Sequence, residues 1–167
     1  MTVQNYLSYF DEMVAPTEAL FRLVPDDKLQ WKPTERSFTA SQLMTHMAEA
    51  LGVYAGGVSE GRWGFASMRE IFVRNRRQPE LSIEEAVELY RKNLALYKER
   101  VGRLTDGEFD HGEIDSPQLG RVPRWRAAML AVEHHLNHKA ELFMYLKFLG
   151  VPVNTGTLYA DRRPKEA

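Results

Sequence analysis

Four amphipathic segments of helical period, capping boxes opening the second and third, and no alternating strand pattern predict an all-α four-helix bundle. In the first segment Val3, Leu7, Phe10, Val14, Thr17, Phe21 and Val24 recur at spacings of three and four, which predicts one helix from Val3 to Val24. Pro25-Asp26-Asp27 ends it, and Trp31-Lys32-Pro33 reads as an irregular connection. Thr39-Ala-Ser-Gln42 is a capping box, in which hydroxyl and amide satisfy N–H groups at a helix start. The helix it opens presents Leu43, His46, Ala50, Val53 and Tyr54 on one side and stops at Gly56-Gly57. A long connection between helices 2 and 3 follows, from Val58 to Leu81, with room for a crossover and for a short helix at Met68 to Val73.

Ser82-Ile-Glu-Glu85 is the second capping box, and its helix runs to Leu104 with an inner stripe of Ile83, Ala86, Tyr90, Asn93, Tyr97 and Val101. Thr105 to Val122 is rich in turn residues. Pro123 suits the first turn of the last helix, where its missing N–H is not needed. That helix ends at Gly150, with Pro152 as a stop. Residues 1–153 read as one bundle domain, and 154–167 as an extended C-terminal tail whose last residues are mobile.

The 167 residues are enough for one ordinary domain, and 44% hydrophobic with 27% charged residues is a soluble globular composition. No stretch approaches the roughly 18 apolar residues of a membrane span. The acidic start without a basic segment is not a secretory signal, so the expected location is cytoplasmic. Zero cysteines exclude disulfides, thiolate ligands and a cysteine nucleophile. Any metal must be held by His, Asp, Glu or backbone oxygen, and any thiol must come from outside. A net charge of −1 argues against a nucleic-acid binder. The local run of Arg69, Arg74, Arg76 and Arg77 around Phe72 contains Glu70 and reads as a solvated face rather than an anion site.

Three of the five histidines lie in Glu133-His-His-Leu-Asn-His138. At about 100° per residue, His134 and His138 sit about 40° apart on one helix face, a spacing that lets two imidazoles converge on one ion. Ala127, Ala131, Tyr145 and Leu149 share that inner face, and the two alanines leave space beside the histidines. Imidazoles pointing into a core need something to satisfy their nitrogens. His46 shares the inner face of the second helix. Alone, a buried hydrogen-bonded histidine explains it; convergence of His46, His134 and His138 favours a three-histidine metal site with open positions. His135 lies about 100° from His134, off the inner face, and pairing with His138 is the second choice. His111 reads as a solvated surface residue.

The rival is a dinuclear carboxylate site, suggested by His46-x-x-Glu49 and His138-x-x-Glu141. That architecture needs Glu-x-x-His and inward acids on the other two helices, and both are missing, so one divalent ion is expected. Glu141 lies about 20° from His134 and is either an orienting carboxylate for a ligand imidazole or a partly exposed helix acid. Asn93, Tyr54, Tyr90, Tyr97 and Thr17 on the inner stripes, and Tyr145, are candidate pocket residues or structural hydrogen-bonders.

Trp31-x-Pro33, Ser41-x-x-x-x-His46 and the final His134-x-x-x-His138-Lys-Ala-Glu-Leu-Phe-Met-Tyr-Leu-Lys-Phe-Leu-Gly150 resemble the DinB/YfiT-like superfamily of damage-inducible metalloproteins. The resemblance covers nearly the whole chain in helix order and spacing. It implies a four-helix bundle with a three-histidine site for Zn, Ni or a similar ion, ligands at His46, His134 and His138, and a homodimer. Asn137 stands where a further histidine is common, Lys139-Ala140 replaces Arg-Gly, and Glu141 replaces Gln. Relatives with known activity are similar to S-transferases and isomerases that use a low-molecular-weight thiol.

The expected function is therefore that of a metal-dependent transferase using an external thiol, an anionic one among the candidates, toward a small-molecule substrate. The alternatives are a metal-dependent hydrolase and a non-catalytic metal-binding stress-response module, with a nucleic-acid role the weakest. Arg124 reads as a surface charge or as a clamp for a thiol's carboxylate. Trp125, Met129, Val132, Leu136 and Phe143 form a second apolar stripe on the last helix, which either meets a second subunit or is covered by its own chain.

Overall fold

The computed structural model describes residues 1–75 and 77–159, so Arg76 and the end of the expected tail lie outside the described residues. Thr2 caps α1 (Val3–Val14) through a 3.1 Å bond from the Asn5 N–H, and Val3, Tyr6, Phe10 and Val14 are its buried face. The expected single helix is broken. Pro16 lacks the N–H that would continue the ladder, and the chain restarts as α2 (Thr17–Phe21). The apolar phase survives the break, since Thr17, Leu20, Phe21 and Val24 are buried. Backbone oxygens at the break find distant donors: Lys139 Nζ donates to the Met13 carbonyl at 2.7 Å and the Tyr90 hydroxyl to that of Val14 at 3.2 Å.

Both halves of the Thr39–Gln42 capping box are formed, and α3 runs over Ala40–Glu60. It passes straight through Gly56-Gly57, where its end was expected. A Cβ on Gly57 would lie 2.3 Å from the Trp63 ring, and one on Gly56 2.7 Å from the Arg62 carbonyl. The glycine pair is thus a notch into which the chain folds back, and Gly61, at φ 70°, supplies the left-handed turn that ends the helix. Trp63 closes this corner by donating its indole N–H to the Asp115 carbonyl at 2.7 Å. The long connection carries α4 (Met68–Asn75), a short amphipathic helix with no buried residue.

The second capping box opens α5 (Ile83–Gly102), with Ser82 accepting from the Glu85 N–H. The turn-rich stretch contains more order than its composition suggested. Thr105 caps α6 (Asp106–His111), and β1 (Glu113–Ser116) pairs antiparallel with β2 (Gly120–Pro123), Ile114 opposite Val122. Then α7 (Arg124–Phe148) crosses the molecule, and Gly150 turns the chain at φ 77°. The segment after Asn154 includes one helical turn, α8 (Thr155–Leu158), where an extended tail was expected.

Both α3 and the α1–α2 pair pack against α5 and α7, which sets α1 and α3 on opposite corners of a four-helix bundle. The small hairpin is the only sheet among the described residues. No helix in them is long and apolar enough to cross a membrane.

Because α7 touches both α3 and α1, it is covered on two sides by its own chain. Val132 and Phe143 of the second apolar stripe are buried, and Trp125, Met129 and Leu136 pack partly buried against the core. The chain itself thus covers two of the five stripe residues fully and three in part.

Candidate metal centre

His46, one turn and a half into α3, meets His134 and His138 from α7. One ligand atom from each lies within 4.8 Å of the others, and this is the one such histidine or acid cluster among the described residues. The closest pair is Nε2 of His46 and Nε2 of His134, 3.1 Å apart. The ring centroids stand 4.5 to 5.0 Å from one another. Helical phase on α7 and the contact between α3 and α7 are sufficient to bring the trio together.

Burial sets the protonation of two members. Desolvation, with help from the neighbouring imidazoles, lowers His134 to about 2. His46 falls to about 4 for the same first reason, with the Glu141 carboxylate and the Gln78 amide pulling weakly the other way. Both are neutral at physiological pH, the form that donates a lone pair to a metal.

The third member is oriented. Hydrogen bonds from His138 hold the Glu141 carboxyl below the usual carboxylate range, so it is an ionised acceptor. Its Oε2 lies 2.8 Å from His138 Nδ1, which donates to it, so Nε2 is the ring nitrogen left to face an ion. The Tyr145 hydroxyl is shared between Glu141 Oε1 and the Phe38 carbonyl, each at 3.1 Å. Phe38 in turn stacks on the His46 ring at 5.1 Å. Three imidazoles with two neutral and one aimed by a carboxylate are a donor set that fits a divalent ion.

The other expected residues divide. Tyr54 stands beside the trio, 5.6 Å from His134 between ring centroids, and burial pushes its phenol up. Asn93 does not reach it: its amide donates to the Ala48 carbonyl at 2.9 Å, bridging α5 to α3 beside a different cavity. Tyr90 and Thr17 serve the α1–α2 corner, and Tyr97 bonds Tyr6. His135 is off the metal face but fully in the core, with Nε2 2.7 Å from Thr17 Oγ1. His111 is exposed. The Arg124 guanidinium donates to the Val58 and Ser59 carbonyls at the end of α3, so it is no clamp for a ligand carboxylate. Glu49 is held by Arg74 and Gln78 rather than by a second ion site. Gln78, buried in the loop after α4, had no periodic pattern to reveal it.

The histidines floor a cavity of about 430 Å³ between α3, α4 and α7, with Phe38, Tyr54 and Leu130 among its walls. The fold and site define a helical-bundle protein with a three-histidine cluster at the base of a cleft. The DinB superfamily profile matches residues 9–142. The chain belongs to the DinB superfamily.

Its sequence is 27% identical over 136 residues to the uncharacterized protein YjoA of Bacillus subtilis (strain 168), covering 80% of this chain and 82% of that protein. The fold is similar to the crystal structure of YjoA, with a TM-score of 0.66 at 23% identity over 89% of this chain and 96% of that one. It is also similar to a DinB-like protein from Bacillus cereus ATCC 10987, with a TM-score of 0.72 at 17% identity over 92% and 97%.

Proposed function

We propose that the protein is a mononuclear divalent-metal-dependent enzyme, a transferase that uses an external low-molecular-weight thiol. The observation that carries this reading is the convergence of His46, His134 and His138 at the floor of an enterable cavity. A divalent ion held there, Zn or Ni by the resemblance, supplies Lewis-acid activation that lowers the pKa of a thiol or water. His46 and His134 serve as neutral donors, and Glu141 holds the His138 proton on Nδ1. Tyr145 steadies Glu141, and Phe38 and Tyr54 keep bulk water from the ring faces. In the transfer a C–S bond forms, the bond from carbon to the leaving group breaks, and the thiol's proton departs with that group. No cysteine of the chain competes for the electrophile.

A closed, structural site is disfavoured because no acid among the described residues joins the trio as a fourth ligand. Hydrolysis is the second reading, since water can enter the same open position. The homodimer implied by the resemblance belongs to this proposal too; sedimentation velocity at micromolar concentration tests it. For the activity, elemental analysis of chelator-free protein comes first, then conjugation of a thiol panel to a chromogenic electrophile. The expected result is thiol-dependent product with metal-loaded protein and none with His138→Ala. Equal rates in both overturn the transferase.

A further inference from the structure

The walls of the cavity above the histidines are aromatic and aliphatic: Phe38, Val53, Phe65, Met68, Ile71 and Leu130. Its volume of about 430 Å³ falls within the roughly 300–1,000 Å³ typical of small-molecule sites. One entire wall is the face of α4, whose Met68, Ile71, Phe72 and Asn75 fall at helical spacing and all line the space. That explains why a helix with no buried residue keeps an apolar stripe.

The charges around this space are already engaged. Arg74 is the one arginine or lysine among the described lining residues, and its Nη2 lies 3.2 Å from Glu49. Glu49 also takes the Gln78 amide at 2.9 Å, and Glu133 pairs with Arg126 at 3.1 Å. Among the described side chains lining the metal-free cavity, an anion meets two carboxylates and no uncommitted arginine or lysine. The cavity's uncharged polar groups include the Tyr54 phenol, the neutral imidazoles of His46 and His134, and the amides of Asn75, Gln118 and Asn137.

We propose that this cavity binds an uncharged, largely apolar molecule of about two to three aromatic rings, the acceptor reactant of the site. The acceptor role rests on the metal-dependent reading above; the binding itself does not require a metal. Burying an unpaired charge among such walls is strongly unfavourable, whereas apolar area gains about 25 cal/mol per Å² on leaving water.

Two fluorescent probes isolate the charge. N-phenyl-1-naphthylamine and 8-anilino-1-naphthalenesulfonate share a skeleton and differ by one sulfonate. Titrated into the wild-type protein, the naphthylamine is expected to saturate at a single site and to bind about tenfold or more tightly than the sulfonate. Val53→Trp and Ile71→Trp fill the space from α3 and α4 respectively, and each is expected to weaken the naphthylamine by about tenfold. Ile71 sits on a helix with no buried residue, so its variant leaves the bundle core intact, as circular dichroism can verify. Wild-type protein stripped of metal by a chelator is expected to keep naphthylamine binding. Comparable affinities for the two probes, or unchanged binding in both Trp variants, overturn the proposal. Normal naphthylamine binding by a wild-type protein that takes up no metal sinks the metal-dependent reading and leaves this one standing.

Discussion

Glu141 and His138, three residues apart on α7, are joined by a 2.8 Å hydrogen bond from Nδ1 to a carboxylate oxygen. The bond selects the tautomer whose Nε2 is free and fixes the plane of the ring. Glu141→Ala is therefore expected to weaken metal binding by about 10- to 100-fold, the usual effect of removing such a support. Glu141→Gln, which keeps an acceptor but no charge, falls between. Competition with a chromogenic chelator measures both, and an affinity unchanged in Glu141→Ala contradicts the role.

Neighbouring histidines on α7 should separate cleanly by substitution. His134→Ala is expected to abolish metal binding. His135→Ala is expected to keep the metal while destabilising the fold by about 1–3 kcal/mol, because it strips one hydrogen-bond partner from buried Thr17. Metal content and urea unfolding, measured on both variants, discriminate. Loss of metal in His135→Ala with retention in His134→Ala reverses the ligand choice.

Acid should weaken the metal-free protein well before ordinary carboxylates titrate. His46, His134 and His135 are lowered to about 4, 2 and 3 by burial, against 6.5 in the unfolded chain. Below 6.5 the unfolded state binds protons that the fold refuses. The stability is thus complete above that pH and is lost as pH falls, until each folded value is passed. Each such group contributes a slope of up to about 1.4 kcal/mol per pH unit. Urea midpoints at pH 7.5, 6.5 and 5.5 are expected to decline; a flat profile contradicts neutral burial.

A single methyl group tests the Trp63 notch. Gly57→Ala gains about 1 kcal/mol of helix propensity, yet its Cβ would lie 2.3 Å from the indole. Displacing a packed ring costs about 1–3 kcal/mol, so net destabilisation is expected in thermal or chemical unfolding. A stabilised variant would show that the corner yields freely.

What was legible in the sequence followed from helical phase. The histidine trio and both capping boxes are each consequences of residue spacing along a helix, whereas spacing alone left open what covers the second stripe of α7. Where phase misled, a local feature was masked by it: Thr17, Phe21 and Val24 continue the stripe of α1, so the interruption at Pro16 left the pattern undisturbed. Gly56-Gly57 carries a helix-stop signature but answers a tertiary demand, the approach of Trp63. The hairpin strands have four residues each, too short for alternation to register, and Ile114 is the one large apolar residue β1 buries. Asn93 lies on the inner stripe of α5 yet faces the backbone of α3, because phase fixes a direction and not a neighbour.

The broken first helix bears on the site from behind. His135 and Lys139 grip Thr17 and Met13 on one side of α7, while His134 and His138, each one residue earlier, face the cavity on the other. Sliding or rolling α7 toward an ion would tear both grips at once. The two imidazoles of α7 are consequently clamped in position by the proline corner. Were an ion held there, adjustment to its radius would fall to the side chain of His46 and to rotation about side-chain bonds, and selectivity among metals would be set by a fixed span rather than by a yielding backbone.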